Sequence, residues 1–534
     1  MEAKMDVWRR VSQFIPTMFG AVCGANILTM SAMNFFEVPT RFISVFYLAF
    51  LVLTTLLMLR CKLDYPLLSQ REHLLCTTFA LAFFLPRIPY LFESVIGYSL
   101  LPVGDDWFHI PDLASVIHTE RFPPRSTYDS SQYLAYYYAA WIPGAAIYYT
   151  GLISTVKQAL ALTKLLYSFF IVYFPVYSSK VLFPEQKYRT AFLVLCFLYG
   201  GFDFFYWASS LDFVPRHSEW WAEDFGFEVQ FSNFFTLSLW TPQHFLAGLS
   251  ILFGLYVISV SESALAQALS GLFFLSGLFS SPFTTLGTIP LVIWYLVRFG
   301  KMRALTLSAV VFTAISMPLW WILLGNDHVG LIFFGALASN WIEHKPTAFA
   351  VFVLVILLEL GPLITAAAYT AKQNGWLRWP FVVSSSYILS TFFIFYHSNY
   401  SMRGSIIPIF TLTYLATPPV YSLFWRVPYR WLRVIAAAYL LGGLLEYASF
   451  TKGAIEAYKM SRVSFNAAAL KSNSGPDKNV SMELIKEAAR YEWGWYVLEK
   501  PKPMKKNSIS ESEAVLMHPD NHYRLTFSKV LEHF

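Results

Sequence analysis

Long apolar stretches alternate with short polar connections along most of the chain. A helix that crosses a membrane needs roughly 20 mostly apolar residues. Thirteen segments approach this length and composition, at 12–35, 41–60, 73–92, 156–180, 190–208, 242–261, 265–280, 284–298, 304–324, 345–371, 379–396, 404–424 and 433–451. The pattern therefore predicts an all-α fold, a polytopic transmembrane helical bundle.

The composition agrees with this fold class. Of the 534 residues, 56% are hydrophobic and 13% are charged, whereas soluble domains have roughly 45–50% apolar and about 25% charged residues. The net charge of +6 is small, and no basic face alternates with stacking aromatics, so we expect no nucleic-acid partner. The four cysteines show neither metal-ligand nor disulfide spacing.

Lysine and arginine lie mostly in alternate connections between the predicted spans, such as Arg60 and Lys62 after the second and Lys301 after the eighth. Basic residues in short loops favour the cytoplasmic side. We therefore expect a multi-pass protein of the plasma (inner) membrane with a cytoplasmic N-terminus. The loop 93–155 and the polar tail 452–534 are then extracytoplasmic.

This orientation requires that residues 132–151 do not cross the membrane. Their tyrosine-rich, proline-interrupted sequence suits a helix in the membrane interface. The chain then divides into N-terminal spans 1–92, an outer loop with juxtamembrane helices 93–155, a transmembrane core 156–451 and a soluble tail 452–534.

The outer loop carries an acidic motif, in which Asp105 and Asp106 are followed by His109. Ionisable groups at a membrane helix end are functional candidates. The alternative is a solvated cap of the helix predicted from Ile110 to Thr119, and on either interpretation we expect neither aspartate to be needed for packing. His109 and Asp106 could also ligate a divalent cation such as Mg²⁺ or Mn²⁺, although the spacing matches no zinc motif.

Further polar groups project onto the same predicted face. They are Asp203 at the end of the fifth span, Glu219 in the following loop, Gln243 and His244 at a span start, and Asn399 and Arg403 before the span 404–424. Arg403 breaks the positive-inside trend and opposes the helix dipole. A guanidinium there suits a phosphate, whereas the alternative is a snorkelling surface arginine.

The order of these motifs resembles the GT-C superfamily of integral-membrane glycosyltransferases, and within it a group of uncharacterised bacterial members. Asp105-Asp106-Trp107-Phe108-His109 resembles the acidic motif of the first large outer loop. Phe122-Pro123-Pro124 and Tyr136-Tyr137-Tyr138 resemble the segment leading to the juxtamembrane helices. The other matching stretches are Glu219-Trp220-Trp221, Trp240 to His244, Ser281-Pro282-Phe283 and Asn399 to Pro408. One departure is that the acidic loop follows the third span rather than the first.

The resemblance implies transfer of a sugar from a polyprenyl-phosphate donor to a glycan, lipid or protein acceptor, with inversion. Asp105 or Asp106 would be the base, and Arg403 would hold the donor phosphate. Substrate would be bound by His244, Gln243, Glu219, Asp203, Tyr137 and Asn399.

Two other classes stay open. A transporter or lipid flippase would use Lys164, Glu359 and Glu446 inside the membrane, but no inverted repeat supports it. A non-catalytic polysaccharide-assembly protein would keep the fold and lack the activity.

Overall fold

The computed structural model describes residues 2–92, 100, 102–103, 105–124, 134, 138–201, 231–232, 234–324, 350, 352–394, 402–426 and 430–474. These residues form helices and no strand, and an isolated antiparallel bridge joins Pro39 to Arg121. The predicted all-α class is confirmed for this part of the chain.

Seventeen α-helices are named below in chain order within the described residues. They are α1 Glu2–Phe35, α2 Ile43–Arg60, α3 Gln70–Phe84, α4 Ile88–Leu91, α5 Asp106–His118, α6 Ile142–Tyr148, α7 Val156–Leu182, α8 Gln186–Leu198, α9 Phe234–Trp240, α10 Pro242–Val260, α11 Ala264–Ser280, α12 Pro282–Arg298, α13 Met302–Leu324, α14 Gly361–Gln373, α15 Arg378–Ile394, α16 Ile406–Arg426 and α17 Arg430–Ser474. Short 3₁₀ turns lie at Thr40–Phe42, Leu85–Arg87, Tyr138–Trp141 and Gly375–Leu377, and a π-helical turn, Ile356–Leu360, precedes α14.

Eight helical segments in the described residues are long and apolar enough to cross a membrane. They are Val7–Phe35, Thr40–Arg60, Gln70–Leu91, Val156–Leu182, Pro242–Val260, Met302–Leu319, Phe352–Gln373 and Ile406–Trp425. This is a helical membrane protein. The other five predicted spans also overlap helices, but α8 has 13 residues and α11, α12 and α15 have 17 each. The total of thirteen spans stays a prediction.

Helix starts follow from local capping chemistry. The Ser69 hydroxyl accepts from the Glu72 backbone N–H while the Glu72 carboxylate accepts from the Ser69 N–H, which forms a capping box at the start of α3. Thr155 and Gln158 form the same arrangement at the start of α7. Each box satisfies two N–H groups that the helix itself leaves without acceptors.

Burial separates the central helices from those at the periphery. In their most apolar windows, 78% of α1 residues but 28% of α2 residues are buried, so α1 lies inside the bundle and α2 presents apolar side chains outward. Close helix contacts rely on small residues, as is common between membrane helices. A Cβ on Gly271 of α11 would collide with the Ser308 carbonyl of α13.

The end of α8 differs from the predicted span 190–208. The helix ends at Leu198, and Gly201 has a φ of +59°, which side chains with a Cβ rarely adopt. A Cβ there would also collide with the buried Glu359 carboxylate of the π turn. The chain therefore turns at Gly201 after the helix has ended, where the neighbouring backbone approaches too closely for a residue with a Cβ.

Two further segments depart from expectation. The described part of 132–151 contains only a 3₁₀ turn and the seven-residue α6, which is too short to cross a bilayer. Its residues Ile142 to Ala146 are buried in the main core rather than lying at the surface. At the other end of the chain, α17 runs without a break through the predicted boundary at 452.

Candidate active site

The acidic motif forms the start of α5. The helix begins at Asp106, four residues before the predicted start, and Asp105 occupies the N-cap position with φ −65° and ψ 0°. The Asp105 side chain makes no capping hydrogen bond. The solvated-cap alternative is therefore not supported for Asp105.

Asp106 is fully buried and is bound by an arginine from the preceding 3₁₀ turn. Arg87 donates from Nε to Asp106 Oδ2 at 2.9 Å and from Nη2 to Oδ1 at 3.1 Å. The same Nη2 donates to the Leu239 carbonyl at 2.7 Å, and the guanidinium lies 4.9 Å from the Phe450 ring centre. Such a bidentate pair fixes the orientation of the carboxylate as well as neutralising it.

A second cation reaches the same carboxylate. The ammonium of Lys164, on α7, donates to Asp106 Oδ1 and also lies 2.9 Å from His109 Nδ1. Burial opposes ionisation of Asp106, but Arg87 and Lys164 outweigh it and hold the pKa of Asp106 well below its usual range. The expectation that neither aspartate is needed for packing is therefore wrong for Asp106, which is the anionic centre of a buried ion network.

His109 links this network to α10. Burial lowers the pKa of His109 to about 3, and the charge of Lys164 acts in the same direction, so the ring is neutral at pH 7. Its Nε2 lies 2.8 Å from the Gln243 side-chain amide nitrogen, and its ring centre lies 5.0 Å from that of Trp141. Contacts with α7 and α10 thus fix both ring nitrogens.

The predicted cation ligands do not fit a divalent ion in this arrangement. Asp106 Oδ1 and His109 Nδ1 converge on one point, and the Lys164 ammonium occupies it. Among the described residues, no group of three or more histidine, cysteine, aspartate or glutamate side chains could hold a metal ion. The geometry gives lysine the place that the sequence-based hypothesis assigned to Mg²⁺ or Mn²⁺.

The second half of the site surrounds Asp112, two turns along α5. Burial raises the pKa of Asp112 to about 7, although the Arg403 guanidinium opposes the increase. The Trp141 indole also lowers the pKa but does not reach hydrogen-bonding geometry. His244 is fully buried and interacts electrostatically with both Arg403 and His109. Arg403, His244 and Asp112 therefore belong to one cluster.

Helix α12 determines where Arg403 lies. The Ser281 hydroxyl caps α12 by accepting from the Thr284 backbone N–H. The Thr284 hydroxyl donates to the Arg403 carbonyl at 3.0 Å. A Cβ on Gly287 would collide with the Gly404 carbonyl. The motifs around Ser281 and Arg403, which are far apart in sequence, thus form one structural unit.

The charges divide unequally between the two halves. Arg87 and Lys164 are positive, while Asp106 and the nearby Asp105, which interacts with Lys164, are negative. At the other end Arg403 faces Asp112, whose pKa is raised to about 7. Arg403 therefore contributes positive charge at this end of the site, where it favours an anionic ligand.

Helix α17 covers this site from one side. Its Phe450 ring packs edge-on against Trp240, with centres 5.0 Å apart, and the Tyr458 hydroxyl donates to the Pro86 carbonyl. Trp240 is therefore a packing residue under α17 and not a free interfacial anchor.

The structure brings together six of the residues predicted from sequence, namely Asp105, Asp106, His109, Gln243, His244 and Arg403. The other four, Asp203, Glu219, Tyr137 and Asn399, lie outside the described residues.

Sequence reasoning missed Arg87 and the place of Asp112. Arg87 carried a usable signal, because it lies near the predicted outer end of the third span and breaks the positive-inside trend as Arg403 does. The sequence indicates Lys164 only as a candidate residue of a transporter. Asp112 gave no local signal, because its altered pKa depends on burial and on residues from other helices.

Comparison of the chain with protein-family models and with curated protein sequences finds no match.

Proposed function

We propose that the protein is a GT-C type glycosyltransferase that moves a sugar from a polyprenyl-phosphate donor to an acceptor at the outer face of the membrane. The observation that carries the proposal is the convergence of the segments around Asp106, His244 and Arg403 on one polar cluster. These three segments carry the motif resemblance, and each lies more than 100 residues from the next.

Asp112 is the group best suited to act as the base. Asp106 uses both carboxylate oxygens to bind Arg87 and Lys164, so it is poorly placed to accept a proton. A general base works best when its pKa is near the working pH, and Asp112 meets that condition. In this mechanism Asp112 accepts the proton of the acceptor hydroxyl as its oxygen attacks the anomeric carbon, which gives inversion.

Arg403 stabilises the leaving group. As the bond between the sugar and the phosphate oxygen breaks, negative charge grows on the phosphate, and a fixed guanidinium favours that change. A phosphate leaving group needs no strong acid, so one base is sufficient. Asp106, Arg87 and Lys164 hold α5 against α7, and this contact keeps His109 and Asp112 in place.

The test is a transfer assay with the purified full-length protein in detergent. A panel of polyprenyl-phosphate sugars is supplied with glycan, lipid and protein acceptors, and released polyprenyl phosphate and transferred sugar are measured. We expect transfer with at least one donor and a loss of about 10²-fold or more in Asp112→Asn, the usual scale for a lost general base.

Asp105→Asn is the matched control, because Asp105 is a carboxylate at the N-cap position of the same helix. If transfer depends on Asp105 and not on Asp112, Asp105 would be the general base instead. Absence of both transfer and donor hydrolysis across the whole panel would contradict the proposed function.

A further inference from the structure

The N-cap residue of α10 carries a hydroxyl group that makes no hydrogen bond within the described part of the protein. Thr241 is the N-cap residue of this 19-residue helix and is 2% exposed. An N-cap threonine normally accepts from an N–H of the first turn. The Thr241 Oγ1 makes no such bond and has no other hydrogen-bond partner among the described residues. Burial of an unused hydroxyl is unfavourable, so it points to a ligand.

The second group is the side-chain amide of Gln243, which is also 2% exposed. The Lys164 ammonium can only donate, so His109 Nδ1 must accept and the ring proton must be on Nε2. That N–H faces the Gln243 amide at 2.8 Å. Two donors cannot face each other, and the amide oxygen and nitrogen are interchangeable in shape. The oxygen therefore faces His109.

The opposite tautomer would require a neutral Lys164. A neutral Lys164 would leave Asp106 Oδ1 without the charged donor that contacts it directly. With Lys164 charged, the far side of the Gln243 amide is an NH₂ group. The structure gives the atom at that position no hydrogen-bond partner among the described residues.

Both unused groups therefore offer donors at the positive end of a helix dipole. Among the backbone donors at this helix start, Pro242 has no N–H, and those of Thr241 and His244 donate to the Leu237 and Thr241 carbonyls. The Gln243 N–H is the remaining first-turn donor, and donors at a helix start bind phosphate in many proteins. Arg403, which interacts electrostatically with the adjacent His244, adds positive charge at the same place.

We propose that the first turn of α10 binds a phosphoryl group through the Thr241 hydroxyl and the Gln243 amide NH₂, and that Lys164 and His109 orient this amide. Thr241 and Gln243 contact the ligand, whereas Lys164 and His109 are positioning residues. The inference rests on the proposed function in one respect, namely that the phosphate belongs to a prenyl carrier.

The positioning step is tested by nitrogen NMR on protein labelled at histidine, with His109→Gln used to assign the His109 signals. We expect a protonated Nε2 and an unprotonated Nδ1 in the wild-type protein. In Lys164→Met, loss of the donor to Nδ1 should change this distribution. A wild-type ring protonated on Nδ1 would contradict the orientation of the Gln243 amide.

Binding is tested with farnesyl phosphate, farnesol and inorganic phosphate as probes of the full-length protein in detergent. Thr241→Val removes the hydroxyl, and Gln243→Glu keeps an acceptor for His109 while replacing the donor group. Each change should weaken farnesyl phosphate binding about 10-fold or more, the usual scale for a hydrogen bond to a charged group. Thr241→Ser should bind like the wild-type protein.

Ser250→Ala is the control, because it removes a buried hydroxyl from the same helix, one that donates to the Phe273 carbonyl. Farnesyl phosphate binding without competition by inorganic phosphate would assign a lipid carrier, and competition would assign a free phosphate. Equal affinities for farnesol and farnesyl phosphate would overturn the site. So would unchanged binding in both Thr241→Val and Gln243→Glu when both unfold at the wild-type temperature.

Because these probes contain no sugar, the result is independent of transfer. Intact phosphate binding without transfer would contradict the proposed function alone. Transfer without Thr241- and Gln243-dependent binding would contradict this site alone.

Discussion

Replacement of Asp106 by asparagine should destabilise the fold far more than the same change at Asp105. Asp106 is fully buried and accepts two hydrogen bonds from Arg87 and one from Lys164. An asparagine keeps one acceptor oxygen but leaves two buried cations without their central anion. Breaking a buried ion pair in this way typically costs about 3–5 kcal/mol, whereas the partly exposed Asp105 should cost about 1 kcal/mol or less.

Lys164→Met removes a positive charge from the same network but keeps an unbranched side chain to fill the space. It leaves the Arg87–Asp106 pair, which is neutral as a unit, and removes the second cation. We therefore expect it to destabilise the protein less than Asp106→Asn does. The double variant Asp106→Asn/Lys164→Met should be more stable than Asp106→Asn alone, because only one buried cation is left without an anion. The effect of the double variant should differ from the sum of the two single effects by about 0.5–3 kcal/mol, the usual coupling energy between contacting residues.

The measurement is reversible unfolding of each variant in mixed micelles with increasing denaturing detergent, followed by tryptophan fluorescence, which gives free energies of unfolding. Transfer activity is measured on the fraction that is folded. If Asp106→Asn unfolds within about 1 kcal/mol of Asp105→Asn and yet abolishes transfer, the structural role of Asp106 would be refuted. Asp106 would then act on substrate directly.

Three further predictions address other parts of the protein. The transfer rate should fall as the pH decreases below about 7, because protonated Asp112 cannot accept a proton; Asp112→Asn should lose this acidic limb, and an unchanged pH profile would exclude Asp112 as the base. Arg403→Lys should weaken donor use although the charge is kept, and Arg403→Ala should weaken it more, by about 2–4 kcal/mol of transition-state stabilisation with any acceptor. If Arg403→Ala leaves donor affinity and turnover unchanged, Arg403 would be a surface arginine with no role in donor binding. Single cysteines at Ser126 and Ser508 should react with a membrane-impermeant thiol reagent in intact cells, and protection of both would reverse the predicted orientation.

The positions of the helices could be predicted because a bilayer imposes a simple rule on sequence. All thirteen predicted apolar segments overlap helices, the secondary structure in which a segment satisfies its backbone hydrogen bonds internally. Helix ends were less predictable. Pro111 lies within α5 and not in its first turn, so the helix begins earlier than its apolar pattern suggested. After the end of α8, the turn at Gly201 depends on close approach of Glu359, which no local sequence pattern indicates.

The candidate site could be predicted as a set of residues but not as an arrangement. Unusual charges and polar groups at helix ends identified Asp106, His244 and Arg403. Their roles depend on partners from other helices, as with Lys164, which is 58 residues from Asp106 in sequence. Sequence alone therefore treated two equivalent aspartates as candidate bases, whereas the contacts assign one to an ion network and leave the other partly exposed.

The contacts of the two arginines explain why both break the predicted positive-inside trend at the same site. Arg87 binds Asp106 and the Leu239 carbonyl, so its charge is matched inside the protein. Arg403 faces Asp112, whose pKa is raised to about 7. Full ionisation of Asp112 would match Arg403 better and would compete with a bound anion, whereas protonation would favour the anion but remove the base. In the proposed transfer reaction, a pKa near 7 would let the carboxyl group yield to an incoming phosphate and still accept a proton.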